Sequence, residues 1–176
     1  MGCDIHSWLE RREGGRWVYA TRLSDDPDQE IDAYNERRYS TFAVLAGVRN
    51  YDELQPIRTP RGLPPDVSPE GTKRAAEWAD DAHSHGWFSL RELLDFDWTR
   101  HFVSSDMCTF DEARERFCAE TLAQSQCFVR PDSDRVHYPK LTSYAEACDY
   151  FLSTVIPTMA ALGAPDNVRI VFHFDN

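Results

Sequence analysis

His83 and His85 flank a single serine, with Asp80 and Asp81 just upstream and His101 further along the chain. Two imidazoles and a carboxylate can ligate a divalent metal, and a bound metal can activate water for hydrolysis. Without a metal, one of these histidines can act as general acid or base on a phosphate ester. A His-x-His pair in a loop also occurs as a cap, a surface pair or a direct ligand contact, so the spacing alone leaves these readings open. Asp4 and His6 share one face of an extended run and could complete the same site.

The arginines point to an anion. Arg49-Asn50-Tyr51 follows a helix end, and Arg58 and Arg61 bracket Thr59-Pro60 ahead of Gly62-Leu63-Pro64-Pro65. Proline-fixed backbone limits the entropy lost when such arginines grip a phosphate or carboxylate. Tyr39, Tyr51, Trp87 and Phe88 lie close by in sequence and could stack a base. The site expected from these residues is a pocket for a small phosphorylated, nucleotide-like ligand. Arg49, Arg58 and Arg61 would hold phosphate, with Asn50 and Asp4 lining the pocket. Tyr51 and Trp87 would stack, and His83, His85 and His6 would contact or cleave. The competing reading is that the arginines simply pair with the 30 acidic side chains. At the far end His173 and Asp175 share a strand face. If the two terminal strands are neighbours, Asp4, His6, His173 and Asp175 lie together. Cys3 has the opposite strand parity to His6, and it reads as core.

The elements that must carry these residues begin with two strand-like runs, 2–10 and 16–21, joined by a Glu13-Gly14-Gly15 hairpin signal. Residues 22–36 are acidic and proline-broken, hence a loop. Ser40 reads as the N-cap of a short helix from Thr41 to Ala46, stopped by Gly47. Ser68-Pro69-Glu70 starts a helix to about Asp81, and Ser89 with Glu92 forms a capping box for a helix over 90–96. His83, His85 and Trp87 therefore fall in a helix–helix connection. Thr109 with Glu112 opens a helix to about Ala123, and 127–130 suggests a short strand. Ser143 with Glu146 opens the longest helix, over 144–162, which Pro157 should kink near Ser153. Gly163 closes it. Val168–Phe174 is a final strand with Ile170, Phe172 and Phe174 on one face and Arg169, Val171 and His173 on the other. The expected fold is α+β, a small, mainly antiparallel sheet that includes the N- and C-terminal strands, with helices packed on one side.

Composition sets the outer limits. At 176 residues the chain is most simply one domain, and 41% hydrophobic with 12% aromatic residues is ordinary globular composition. No apolar run approaches the roughly 20 residues needed to span a bilayer, and no basic-then-apolar leader is present. His6 stands where a myristoylation signal needs Ser or Thr. Five cysteines without CxxC spacing read as reduced thiols in a cytosolic protein. A net charge of −11 disfavours general nucleic-acid binding, but it leaves room for an acidic protein that mimics DNA or docks a basic partner.

MGCDIH, YSTFAVLAGVRN, PRGLPPDVSPE, HSHGWFSLRELLDFDW and VRIVFHFDN together resemble a group of small phage and prophage proteins that opens with the MGCDIH motif. That group is defined by these motifs and not by an activity. Asp4, His6, Arg49, Asn50, Arg61, His83 and Trp87 fall on motif positions; residues 100–140 match poorly, and the group pattern has an aromatic where this chain has His173. The resemblance implies action in the host cytoplasm, with a small anionic ligand such as a nucleotide signal made by host defence. Its alternatives are a non-enzymatic acidic inhibitor of a host protein, in which Asp25, Asp26, Asp28, Glu30 and Asp32 form a ridge, and a metal-dependent hydrolase. The sequence names no cofactor, and a homo-oligomer is open.

Overall fold

The computed structural model describes residues 2–21, 32–78, 80–116 and 135–175. Its centre is a four-stranded antiparallel sheet in the order β2-β1-β6-β3. Strand β1 spans Ile5–Glu13 and β2 spans Arg16–Tyr19. Gly14 (φ 55°) and Gly15 (φ 82°) form the two-residue turn between them. Left-handed conformations at both positions give the turn whose twist matches antiparallel strands, which favours glycine. Strand β6, Val168–Phe174, lies beside β1, so the two ends of the chain are adjacent. Strand β3, His83–Ser89, pairs with the other edge of β6.

The expectation of helices on one side is corrected. Leu9 and Ile5 of β1 and Val168, Ile170, Phe172 and Phe174 of β6 bury one face under α1 (Tyr39–Ala46), α3 (Leu90–Asp95) and the C-terminal helical stretch. The opposite face carries Trp8 and Val171, which pack on Ala75 of α2 (Pro69–Glu77) with Leu63 and Val67. All seven residues of β6 are buried, as a strand covered on both faces must be.

The caps mostly agree with the sequence. Ser68 accepts from Gly71 N, Ser89 and Glu92 make both bonds of a capping box, and Gly47 (φ 71°) closes α1 with its N–H on Ala43 O. Ser40 is not the cap of α1: Arg38 is, and the Ser40 hydroxyl donates to Ala147 O. Helix α2 ends at Glu77, short of Asp81. The segment from His83 is strand rather than connection. Two further strands carry no clear sequence signal, β4 (His101–Thr109) and β5 (Arg135–Ser143), which pair with each other as a separate ribbon. Between them α4 (Phe110–Arg116) starts at the Thr109–Glu112 box, while its expected extension to Ala123 and the strand at 127–130 lie outside the described residues. The long C-terminal helix is interrupted: α5 (Tyr144–Ala147) leads to a π-helical turn, Phe151–Val155, and then α6 (Ile156–Leu162). The π turn sits where Pro157 removes the N–H that Ser153 O would have accepted, which is the expected kink in another form.

Candidate functional site

The register brings the terminal histidines together. His6 pairs directly with His173 across β1 and β6, and their rings stand 5.2 Å apart. On the other flank of β6 the ring of His85 is also 5.2 Å from His173. Three imidazoles thus lie abreast on three neighbouring strands. At the open end of the row Asp175 accepts from Asp4 N at 2.9 Å and meets His6 Nε2 at 3.3 Å. Asp32 Oδ2 lies 4.0 Å from His6 Nδ1, so carboxylates face both nitrogens of that ring. Trp78, at the C-cap of α2, stacks on His6 at 4.0 Å.

Asp4 forms a two-pronged ion pair with Arg37, which holds its carboxyl below the usual range. Arg37 remains about half exposed. The inhibitor alternative places Asp32 on an acidic ridge, but its carboxylate is engaged: it accepts from Ser7 N at 2.8 Å and from Arg74 at 2.6 Å. Asp25, Asp26, Asp28 and Glu30 lie outside the described residues. Sequence reasoning misses Arg37, Trp78 and the placement of Asp32, since nothing in a polar loop or at a helix end marks which side chains fold back on the first strand.

Ser84 separates the two histidines that their spacing suggests belong together. Its φ is 53°, and the register of β3 on β6 shifts between His83 and Gly86. The extra residue of a β-bulge reverses the facing of the residues beyond it. His85 therefore meets His173, whereas His83 stacks on Phe174 at 6.1 Å, on the core side of β6, with Nδ1 at 2.9 Å from Ser84 Oγ. His101 is on β4, in the other sheet.

The expected arginine pocket does not assemble. Arg61 makes a bidentate pair with Glu92 (2.9 and 2.8 Å) and donates to Trp87 O, and Arg58 lies 3.7 Å from the same carboxylate. That pairing holds Glu92 below the ordinary carboxylate range, against burial. Trp87 already carries guanidinium groups over its ring. Arg61 sits 3.5 Å from its ring centroid and Arg169 5.5 Å from it, and Arg169 also lies 4.0 Å over Trp17. Arg49 reaches Gly2 O at 3.2 Å, near Cys3, at the end of the sheet where Asp4 and His6 lie. Asn50 is a turn-former, bonding both N–H and C=O of Leu54. Tyr51 is exposed, with its ring 6.1 Å from that of Tyr39. Arg49, Arg61, His83 and Trp87 thus do not share one cleft; the convergence is among Asp4, His6, His85, His173 and Asp175.

A metal fits poorly, because among the described residues no group of three or more His, Cys, Asp or Glu could hold one. Cys148 is buried, with its thiol pushed up to about 11 by desolvation, and Cys3 is raised for the same reason, so neither is poised as a nucleophile. Among the described residues no helix is long and apolar enough to cross a membrane. Comparison of the chain with protein-family models, curated proteins and solved structures finds no match.

Proposed function

We propose that the protein binds a small phosphorylated, nucleotide-like ligand at the sheet end where Asp4, His6, Arg37 and Asp175 meet, and that His6 acts on it. The observation that carries this reading is the His6–Asp175 contact, made by residues from opposite ends of the chain. An imidazole oriented by a carboxylate is the arrangement that acid–base chemistry on a phosphate ester needs. Arg37 adds a half-exposed guanidinium that an incoming phosphate can share with Asp4. Arg49 lies at the same end of the sheet. Compared with the expectation from sequence, Arg49 keeps its anion-holding role, Arg37 takes the place of Arg58 and Arg61 beside it, and of His83, His85 and His6 it is His6 that carries the chemistry. The resemblance to phage and prophage proteins supports a host nucleotide signal as the ligand, held or cleaved in the host cytoplasm.

The test is incubation with a panel of cyclic and linear nucleotides, read by calorimetry and by chromatography. Heat without product describes a sponge. Product describes a hydrolase, and His6→Ala should then lower turnover by about 100-fold or more with the fold intact. No heat and no product from any member rejects the reading.

A second reading has one observation behind it. The β4–β5 ribbon exposes Val103 and Leu141, which are paired with each other, together with Met107. Exposed apolar ladders favour a protein partner, as a non-enzymatic inhibitor would need. Under that reading Leu141→Asp abolishes partner binding and leaves the His6 site untouched.

A further inference from the structure

We propose that the His6–His173–His85 row is an acid-operated latch, which holds the last turn of α2 on the sheet while the middle ring is neutral and releases it when that ring takes a proton. The inference stands independently of whether His6 acts on a ligand.

The geometry makes His173 the part that cannot adapt. It is fully buried, and neither ring nitrogen has a hydrogen-bond partner among the described residues. Its surroundings come from four elements: His6 on β1, His85 on β3, Arg74 on α2, and Asp175 just beyond the end of β6. The rings of Trp8 and Trp78 stand 6.3 Å away. Arg74 brings a positive charge toward the ring and Asp175 opposes it, while Asp32 pairs with Arg74 at 2.6 Å and lies 4.0 Å from His6. A charged imidazole there would be desolvated and repelled, so burial together with His6, His85 and Arg74 presses its pKa down to about 3. Proton uptake nearer neutrality thus needs water to reach the ring. The cover over this end of the row is Trp78, the C-cap residue of α2, stacked on His6. The opposite end of α2 is fixed by Ser68 on Glu10, at 2.6 Å for the hydroxyl. The turn with Trp78 is the part that lifts.

Hydrogen exchange of the intact protein, corrected for the intrinsic rate, tests this at pH 7.5 and 5.0. The amides of Ala75–Trp78 should lose protection at least tenfold at pH 5.0, and should exchange ahead of those of α1 at both values. In His173→Phe, which keeps a flat ring of similar size, Ala75–Trp78 should be equally protected at both values. Protection in the wild type that does not change with pH overturns the latch. So does the same loss in His173→Phe, or exchange of α1 and α2 at one common rate. If His173→Phe fails to fold, the wild-type imidazole resonances decide. A His173 ring that becomes protonated while Ala75–Trp78 stay protected is the overturning result, and one that stays neutral in the closed form at pH 5.0 supports the latch.

Discussion

Glu10 shows how one side chain can fix several elements. It is fully buried on β1 and accepts from Arg169 Nε (2.8 Å), Ser68 N (2.9 Å), Ser68 Oγ (2.6 Å) and Trp8 Nε1 (3.2 Å). A carboxylate with that many donors recovers the solvation it lost, and it also faces the positive end of α2. Removing one partner of a buried ion pair costs about 3–5 kcal/mol, because the other charge stays behind. Glu10→Ala is therefore expected to lower unfolding free energy by about that much in urea titrations, even though Asp66 still pairs with Arg169 at 2.7 Å. Loss of less than about 1 kcal/mol would mean that Asp66 alone holds the guanidinium. The thiols make a second expectation. Cys3, Cys108 and Cys148 are buried, and the first and last are raised. Peptide-level alkylation at pH 8 should leave these three unmodified in the native protein and modify all of them in denaturant. Residue chemistry is the least legible level in the sequence. The spacing of His83 and His85 suggests a joint site, yet a single left-handed serine turns one toward the core. Trp87 and Arg61 both stand out, but as ligand contacts; what they contact is each other.

Elements are legible wherever a local device specifies them. The Gly14-Gly15 turn, the Ser68 and Ser89 caps and the strand alternation of Val168–Phe174 depend on neighbours in sequence, and each is found. Strand β3 is hidden because its bulge breaks the two-residue period and its residues are mostly polar or glycine. In β5 a proline at 139 argues against a strand, and it is tolerated in a two-stranded ribbon, where a missing N–H need not face a partner. Helix α2 carries an exacting contact of its own. A methyl group at Gly71 would stand 2.7 Å from both Glu10 Oε1 and Trp8 Nε1, and 2.9 Å from Val67 Cγ2. Alanine would gain about 1 kcal/mol in helix propensity. The clash costs about 1–3 kcal/mol and involves a fixed buried carboxylate, so Gly71→Ala is expected to destabilise on balance. A thermal midpoint raised by Gly71→Ala would show that α2 can shift outward freely.

At the scale of the whole molecule, the α+β class and the pairing of the terminal strands are legible, because both ends carry strong alternation and the polar parity matches. The second hydrophobic face is not, since Trp8, Val171 and Ala75 are few and separated by more than sixty residues. The histidine row gives the molecule a pH dependence whose sign comes from linkage. His173 and His85 are depressed from the ordinary 6.5, so the unfolded chain binds more protons than the native one below that value. Stability is full above about pH 6.5 and is lost as pH falls toward about 3, where His173 also titrates in the folded state. Unfolding free energies from urea titrations should hold from pH 7.5 to about 6.5 and then fall toward pH 5.0, by up to about 1.4 kcal/mol per pH unit for each histidine in its window, and the fall should be smaller in His173→Phe.

The pairing of β1 with β6 also bears on how the chain is made. Ribosomes deliver β1 long before β6, and Ile5 cannot meet Phe174 until the chain through Phe174 has left the exit tunnel. Until then β1 has only its hairpin partner β2, and both layers that later cover β6 have nothing to close upon. Pairings this distant in sequence make folding slow. A nascent chain stalled before Val168 should remain protease-sensitive throughout, and resistance should arise in one step once Val168–Phe174 has emerged, with that seven-residue strand as the keystone.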